Sequence, residues 1–187
     1  PDIIVSKLLE GRVAILVEGS PIALYTPALF SDNFQTPDDY NIPPFYSGFI
    51  RTLRYFSFVL SIFLPGVYVA IGTFHQELIP TSMLFTIARE EITTPYSLMT
   101  EALMLLILYE IMREAGLRLP KAVGHAVSII GGIVIGETTV SAGLIGAPML
   151  VVIALTAISS YVVSSLYESV SVLRFFFILI GGLTGMY

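Results

Sequence analysis

Charged side chains are scarce in this sequence and nearly absent from its last third. They make up 12% of the residues, and hydrophobic side chains make up 55%, against about 25% and about 45–50% in soluble chains. Residues 138–167 contain no Asp, Glu, Lys or Arg, and only Glu168 and Arg174 follow. A helix that crosses a bilayer needs about 20 apolar residues. The chain is therefore predicted to be a membrane protein.

Other absences narrow the chemistry. Cysteine is absent, which excludes disulfides and thiolate metal sites within this sequence. No basic stripe is present to neutralise phosphates, so a nucleic-acid partner is not expected. His75 and Glu77 have no third ligand nearby, so no metal or cofactor is predicted. His75 and His125 have no nucleophile or orienting acid at a recognisable spacing, which argues against an enzyme.

The first 45 residues are more acidic than the rest of the chain. Much of the acidity lies there, with Lys7 and Arg12 as the only bases. A helix over residues 2–10 is predicted to stop at Gly11, and two β-branched runs around Gly19 predict a β-hairpin. The proline-rich segment 26–44 is predicted to be a linker, with one helical turn around residues 30–34.

These patterns define the predicted fold. We expect a mainly α, polytopic helical membrane protein with a small α/β remnant, a helix plus a β-hairpin, of a preceding soluble domain. Residues 1–45 would be the end of that domain plus the linker, and residues 46–187 a partial transmembrane domain. Because the sequence has no initiator Met and stops inside an apolar segment, we expect a fragment of a longer protein.

Apolar runs locate the membrane segments. The predicted pieces are residues 55–74, 78–88, 98–112, 123–135, 149–166 and 173–187. Since Lys and Arg mark the cytoplasmic ends of spans, we expect Arg51 with Arg54, then Arg113 with Arg118 and Lys121, and finally Arg174 to lie on one side. The chain must then cross the membrane an even number of times between two successive clusters. Residues 55–112 contain three apolar pieces for two crossings, so one piece must be re-entrant or interfacial, and we assign that role to residues 98–112.

Three ionisable residues are candidates for an ion path. His75 and Glu77 follow the first span, where an ionisable pair suggests a gate; an interfacial turn in headgroup water is the alternative. Glu137 follows the glycine-rich helix. A helix starting near Lys121 would carry Glu137 about 24 Å along its axis, inside a hydrocarbon layer about 30 Å thick. A later helix start would instead leave it among the headgroups.

Two further groups of residues have structural interpretations. Gly132 and Gly136 have the small-residue spacing that seats a neighbouring helix, although glycine is also simply frequent in membrane helices. The charged residues Glu110, Arg113, Glu114 and Arg118 are three and four positions apart, which predicts mutual ion pairs on one helix face. A ligand site is the alternative, and the family resemblance described below adds docking against another subunit.

An ordered series of motifs resembles the GerA family of spore germination receptor A subunits. It runs through residues 7–21 (KLLEGRVAILVEGSP), 38–40 (DDY), 49–55 (FIRTLRY), 64–70 (LPGVYVA), 74–80 (FHQELIP), 110–120 (EIMREAGLRLP) and 131–136 (GGIVIG). The resemblance covers essentially the whole chain. One departure is Ser164-Ser165, where the family pattern has a proline at the span end near Tyr167 and Glu168, so a kink there is not expected with the same force.

The resemblance implies a subunit of a nutrient-sensing complex in the inner membrane of the bacterial endospore. It implies a transporter-like B subunit and a C lipoprotein as partners, and a homo-oligomeric ring that conducts ions. A secondary-transporter fragment is the alternative, but the segments around Pro65 and Pro148 show none of the internal repeat typical of transporters. A purely structural anchor would not explain the polar groups at positions 75, 77 and 137.

Overall fold

The computed structural model describes residues 2–120, 131–133 and 136–185. The chain begins with helix α1 (Asp2–Leu9). Strands β1 (Val13–Leu16) and β2 (Ala23–Thr26) form an antiparallel hairpin in which Val13 faces Thr26. Gly19 has a φ of +80° in the connecting turn, a conformation that favours glycine. The predicted first helix and hairpin are therefore confirmed.

The proline-rich segment contains two short 3₁₀ helices, Phe30–Phe34 and Pro37–Tyr40. The first of them is the predicted helical turn. Its Phe34 ring is fully buried and stacks on Tyr55 at a centroid distance of 4.1 Å. It also meets Phe58 edge-on at 5.3 Å. This aromatic cluster fastens the segment to the helix that follows.

Helices make up most of the remaining chain. They are α2 (Pro44–Phe74), α3 (Thr81–Thr93), α4 (Leu98–Arg118), α5 (Ala147–Val162) and α6 (Tyr167–Thr184). Residues 131–133 and 136–141 are also helical. Helix α2 begins eleven positions before the predicted span, because residues 44–54 carry amphipathic sequence that continues the same helix. Helix α6 begins six positions early for the same reason.

Among the residues that the structure describes, two helical segments are long and apolar enough to cross a membrane: Pro44–Phe74 and Ser164–Thr184. Helices α3 and α4 together pass the same test, but they are bent by 76° at residues 94–97. This pair is a broken span or a re-entrant loop. A mainly helical membrane architecture with a small hairpin is thus what the structure shows.

Helix α4 contains residues 98–112, which were predicted to lie in the membrane interface, but its first half lies in the core of the helical region. Its first turns bury Leu98, Ala102, Leu105 and Leu106, and these pack with Met149 of α5 and Ile178 of α6. Helix α3 has no buried residue. The interfacial role predicted for residues 98–112 therefore fits residues 81–93 better, because a surface helix keeps little of itself inside the bundle.

Helices α2 and α6 make the closest helix pair. A β-carbon added to Gly66 would lie 2.7 Å from the backbone oxygen of Phe177, and one added to Gly181 would collide with the backbone oxygen of Gly66. Side chains at either position would separate the two backbones. Such close crossings of small residues are typical of membrane helices, where association depends on van der Waals packing.

The helices share one end at which basic residues collect. Arg54, near the start of α2, lines a cavity together with Ser164 and Ser165, which precede α6. Arg113, near the end of α4, lies over the ring of Tyr167 at the start of α6. The Arg51 and Arg54 cluster and Arg113 are therefore on the same side, as predicted. Arg174 is different, since it is buried between the helices.

Candidate intramembrane polar site

Arg174 is the most unusual side chain of the helical region, because it is charged and 0% exposed. Seven residues separate it from the start of α6, so it lies about 10 Å into that helix. Its Nε donates a hydrogen bond of 2.8 Å to the backbone oxygen of Ser61 in α2. Nη1 and Nη2 make no well-formed hydrogen bond to the described residues, although the Tyr167 hydroxyl lies beside the guanidinium.

Glu110 of α4 supplies the charge that faces Arg174. Its Oε1 is 4.0 Å from Nη1 of Arg174. The same oxygen accepts hydrogen bonds of 2.8 Å from the hydroxyls of Tyr167 and Ser171. One carboxylate therefore joins α4 to α6 through two hydroxyl groups, and to the α6 cation at a longer distance.

Arg113 closes the site at its outer end. Its Nη1 is 3.8 Å from Oε2 of Glu110, and its guanidinium carbon lies 3.2 Å from the centroid of the Tyr167 ring. A guanidinium over an aromatic face is held by the ring quadrupole. We call Glu110, Arg113, Tyr167, Ser171 and Arg174 the polar cluster.

The chemistry of the polar cluster is electrostatic. It contains two cations and one anion, and its inner cation has no water contact. Removing a charge from water costs several kcal/mol unless the geometry of the pair and its hydrogen bonds is good. Ionisable side chains at membrane depth therefore mark functional positions by default. The arrangement can hold, orient or exchange an ion pair.

A second buried carboxylate lies at the opposite end of α4. Glu101 is 2% exposed, and its Oε2 accepts a hydrogen bond of 3.4 Å from the amide of Gly146, the residue that precedes α5. The start of a helix carries unpaired amides and a partial positive charge. Glu101 therefore fixes the start of α5 against α4.

A third polar group joins the linker to α2. The Asp39 carboxylate accepts hydrogen bonds of 2.6 and 2.9 Å from Arg54 and of 3.0 Å from the Thr36 hydroxyl. Arg51 approaches it to 3.4 Å. The hydrogen bonds from Arg54 hold the pKa of Asp39 well below its ordinary value, against the effect of burial. We call Asp39, Arg51 and Arg54 the linker latch.

Another carboxylate before α2, that of Asp32, also has a lowered pKa. Asp32 forms ion pairs with Arg12 and with Lys7, and its carboxylate also accepts a hydrogen bond from the Leu29 amide. The hydrogen bonds from Arg12 lower the pKa of Asp32 despite its burial. These contacts connect the hairpin region to the first 3₁₀ helix.

The predicted ion-path residues do not lie together with the polar cluster. His75 ends α2 and is half-buried; its imidazole lies next to Gly185, just past the end of α6. Glu77 is exposed in the 3₁₀ helix Gln76–Leu78. Glu137 is exposed. Lys121, from which its depth was predicted, and His125 lie outside the described residues.

The predicted packing glycines have unequal surroundings. A β-carbon on Gly136 would lie 3.4 Å from a methyl group of Leu150, which is ordinary contact, whereas one on Gly132 would meet nothing within 4 Å. Among the described glycines, Gly66 and Gly181 are the two whose added β-carbon would meet the backbone of another helix at less than 3 Å. Packing of Gly132 against another subunit stays a prediction.

The predicted row of charges on α4 divides into two parts. Arg118 and Glu114 form an exposed ion pair with an Nη2–Oε1 distance of 2.7 Å, and their side chains are 80% and 57% exposed. Glu110 and Arg113 are each 25% exposed and belong to the polar cluster. A docking surface on this face is therefore confined to the outer pair, with the inner pair turned toward α6.

Sequence reasoning did not select Arg174, Tyr167 or Ser171 as site residues. One signal was available, since Arg174 is the only Lys or Arg after position 121 and lies within an apolar run. Its partner Glu110 is 64 positions away, and no local spacing links them. Among the residues that the structure describes, no group of three or more His, Cys, Asp or Glu side chains is placed to hold a metal ion.

Comparison with known proteins identifies the family. The family model described as Bacillus/Clostridium GerA spore germination protein matches residues 1–187. Spore germination protein KA of Bacillus subtilis (strain 168) is 44% identical over 100% of this chain and 35% of its own length. Spore germination protein B1 of the same organism is 42% identical over 88% of this chain and 34% of its own length.

A further relative, spore germination protein GerQA of Bacillus cereus, is 40% identical over 100% of this chain and 38% of its own length. The chain thus spans about a third of the length of the curated relatives it matches. No solved structure matches it. The match over all 187 residues, together with the membrane helices, shows that this chain belongs to the GerA family of spore germination proteins.

Proposed function

We propose that this chain is the membrane part of a germinant-receptor A subunit, which senses or relays a nutrient signal in the inner membrane of the bacterial endospore. The observation that carries the proposal is the family match over residues 1–187, with relatives that are named spore germination proteins. The role is signalling rather than catalysis. It agrees with a site whose chemistry consists of ion pairs and hydrogen bonds.

The receptor in this proposal is a complex. The chain acts with a transporter-like B subunit and a C lipoprotein, and it forms a homo-oligomer that conducts ions when the nutrient binds. The exposed residues Gly132, Glu114 and Arg118 are the candidates for contacts between subunits. Leucine at Gly132 or Gly136 would then disturb assembly, because the larger side chain forces helices apart.

The ion path is assigned to exposed ionisable side chains outside the polar cluster. Glu137, Glu77 and the half-buried His75 lie near the ends of helical segments. A carboxylate in a water-filled path attracts cations and raises their local concentration. We assign Glu137 to the conducting surface of the assembled ring, with His75 and Glu77 near its mouth.

The test of the function is genetic complementation with the full reading frame. Spores that lack the gene are compared with spores in which it is restored, and germination is followed after addition of candidate nutrients. Restored nutrient-triggered germination is expected. Nutrient uptake without any effect on germination would favour the secondary-transporter alternative, and the absence of both effects would contradict the proposal.

Glu137→Gln tests the ion path separately. The variant is expected to assemble normally and to release cations several-fold more slowly during germination, because the amide cannot attract cations as a carboxylate does. Cation release from spores and receptor abundance are measured together. Glu168→Gln is the control, since Glu168 is exposed in the first turn of α6. Equal release in the Glu137 variant and wild type would rule out the assignment.

A further inference from the structure

Glu110 lies between two arginines and is in close contact with neither. The Nη1–O distances are 3.8 Å to Arg113 and 4.0 Å to Arg174, whereas charge-assisted N–H···O bonds are about 2.7–2.9 Å long. The two cations face different oxygens of the same carboxylate. A displacement of about 1 Å would complete either bond.

Two hydroxyl groups hold the carboxylate in this intermediate position. Tyr167 and Ser171, one turn apart on α6, both donate to Oε1 at 2.8 Å. That oxygen is the one that faces Arg174. The hydroxyls occupy this oxygen at short distance, and the Nη groups of the fully buried Arg174 make no well-formed hydrogen bond to the described residues.

The two cations differ in what they connect. Arg174 is anchored to α2 through the backbone oxygen of Ser61, so a full bond from Glu110 to Arg174 would tie α4, α6 and α2 together. Arg113 is on α4 itself and contacts α6 at the ring of Tyr167, so a full bond from Glu110 to Arg113 would add no connection to α2. The choice of partner therefore decides how firmly α4 is joined to α2 and α6.

We propose that Glu110 is an exchangeable counter-ion, and that its transfer between Arg113 and Arg174 switches the coupling of α4 to α2 and α6. As a regulatory device the switch rests on the proposed receptor function, while the exchange itself is a property of the helices. A two-state element responds to a ligand only through different contacts in its two states. The polar cluster supplies such a difference inside the bundle.

Variants can lock or release the switch. Arg113→Gln removes the outer cation, and the double variant Tyr167→Phe with Ser171→Ala removes both hydroxyl donors; each is expected to move Glu110 to Arg174. We call these two the locking variants. Arg174→Gln, the releasing variant, is expected to move Glu110 to Arg113. Arg118→Gln is the matched control, because Arg118 lies on the same helix and pairs with Glu114 at the exposed surface.

The first measurement uses the purified full-length protein. Spin labels are placed on the exposed positions Ile111 of α4 and Val172 of α6, after replacement of any native cysteine outside residues 1–187. The locking variants are expected to shift the distance distribution by about 1–2 Å in one direction. Arg174→Gln should shift it in the other, and Arg118→Gln should leave it unchanged.

Distributions that coincide with wild type in every variant, or that all move together, would refute the exchange. Where Arg174→Gln does not fold, the two locking variants must still agree with each other and differ from Arg118→Gln; disagreement between them refutes the exchange equally.

The second measurement is the nutrient concentration for half-maximal germination. The locking and releasing variants are expected to change it by about fivefold or more in opposite directions. A change of the same sign in both classes would refute the regulatory role. Wild-type spores whose germination does not depend on the gene would refute the proposed function, while the spin-label distances would still decide whether Glu110 exchanges.

Discussion

At the scale of single residues, Gly66 and Gly181 determine how closely the two apolar helices α2 and α6 approach. Each glycine faces backbone atoms of the other helix, and backbone cannot rotate out of the way as a side chain can. The close approach also brings the Ser61 oxygen of α2 within 2.8 Å of Arg174. The absence of side chains at Gly66 and Gly181 therefore affects both the helix packing and the polar cluster.

Gly66→Ala is expected to destabilise the helical region. The added methyl group would lie 2.7 Å from the Phe177 oxygen, and overpacking of this kind costs about 1–3 kcal/mol. Thermal unfolding of the detergent-solubilised protein measures the loss. Gly48→Ala on the same helix is the control, because nothing lies within 4 Å of its added methyl group. Equal melting temperatures for the two variants would contradict this account of the crossing.

At the scale of elements, the linker latch connects the segment before residue 44 to α2, the first helix long enough to span a membrane. Asp39 and Phe34 are held by consecutive turns of α2, the first through ion pairs and the second through ring stacking. The second 3₁₀ helix positions Asp39 by pairing its carboxylate with the Thr36 amide. A movement of the segment that holds Phe34 and Asp39 would therefore be passed to α2 directly.

Acidification is expected to open the linker latch. Because the pKa of Asp39 is lower in the folded protein than its ordinary value of 3.8, ionised Asp39 stabilises the docked linker above that pH. This contribution is lost as the pH falls below 3.8. Hydrogen exchange of residues 30–40, measured as a function of pH, should show the loss of protection.

Asp39→Asn tests the same element at neutral pH. It is expected to weaken docking by about 2 kcal/mol, since hydrogen bonds to charged groups contribute about 1.5–3 kcal/mol. Asp38→Asn is the control, because Asp38 is the exposed neighbour of the buried Asp39. Faster exchange in the Asp38 variant than in the Asp39 variant would reverse the assignment.

At the scale of the whole molecule, the helices surround a core in which charge is buried together with apolar side chains. Helix α2 contacts both α5 and α6, and α4 contacts the same two helices. Exposed apolar side chains cover the outside of this arrangement, including Phe56, Val151 and Phe176. Such an exterior is suited to lipid, because a soluble protein rarely exposes large apolar patches.

Membrane insertion is expected for residues from about 46 onward. Carbonate washing of membranes from cells that express the full-length protein should leave it in the membrane fraction, because two helices are long and apolar enough to span. A known peripheral protein, released by the same wash, is the control. Appearance of the full-length protein in the soluble fraction would end the membrane interpretation.

The sequence by itself determined the membrane class, the order of the helices, the hairpin and the family. These depend on local information: apolar runs give spans, Gly19 gives the turn, and the ordered motifs give the resemblance. Element ends were less certain, since α2 and α6 extend beyond their apolar runs. The break before α6 is present as the 3₁₀ helix Ser164–Leu166 without the expected proline.

Only the tertiary structure decided which charges are internal. Glu110 and Arg113 have the spacing of a surface ion pair, yet α6 packs over them with Tyr167 and Ser171. Arg174 has the sequence signature of a span end, yet it is fully buried between Ser61 of α2 and Glu110 of α4. Burial and long-range pairing depend on which helix faces which. The periodicity within one helix does not specify which helix it faces, because the residues that contact each other are up to 113 positions apart in the chain.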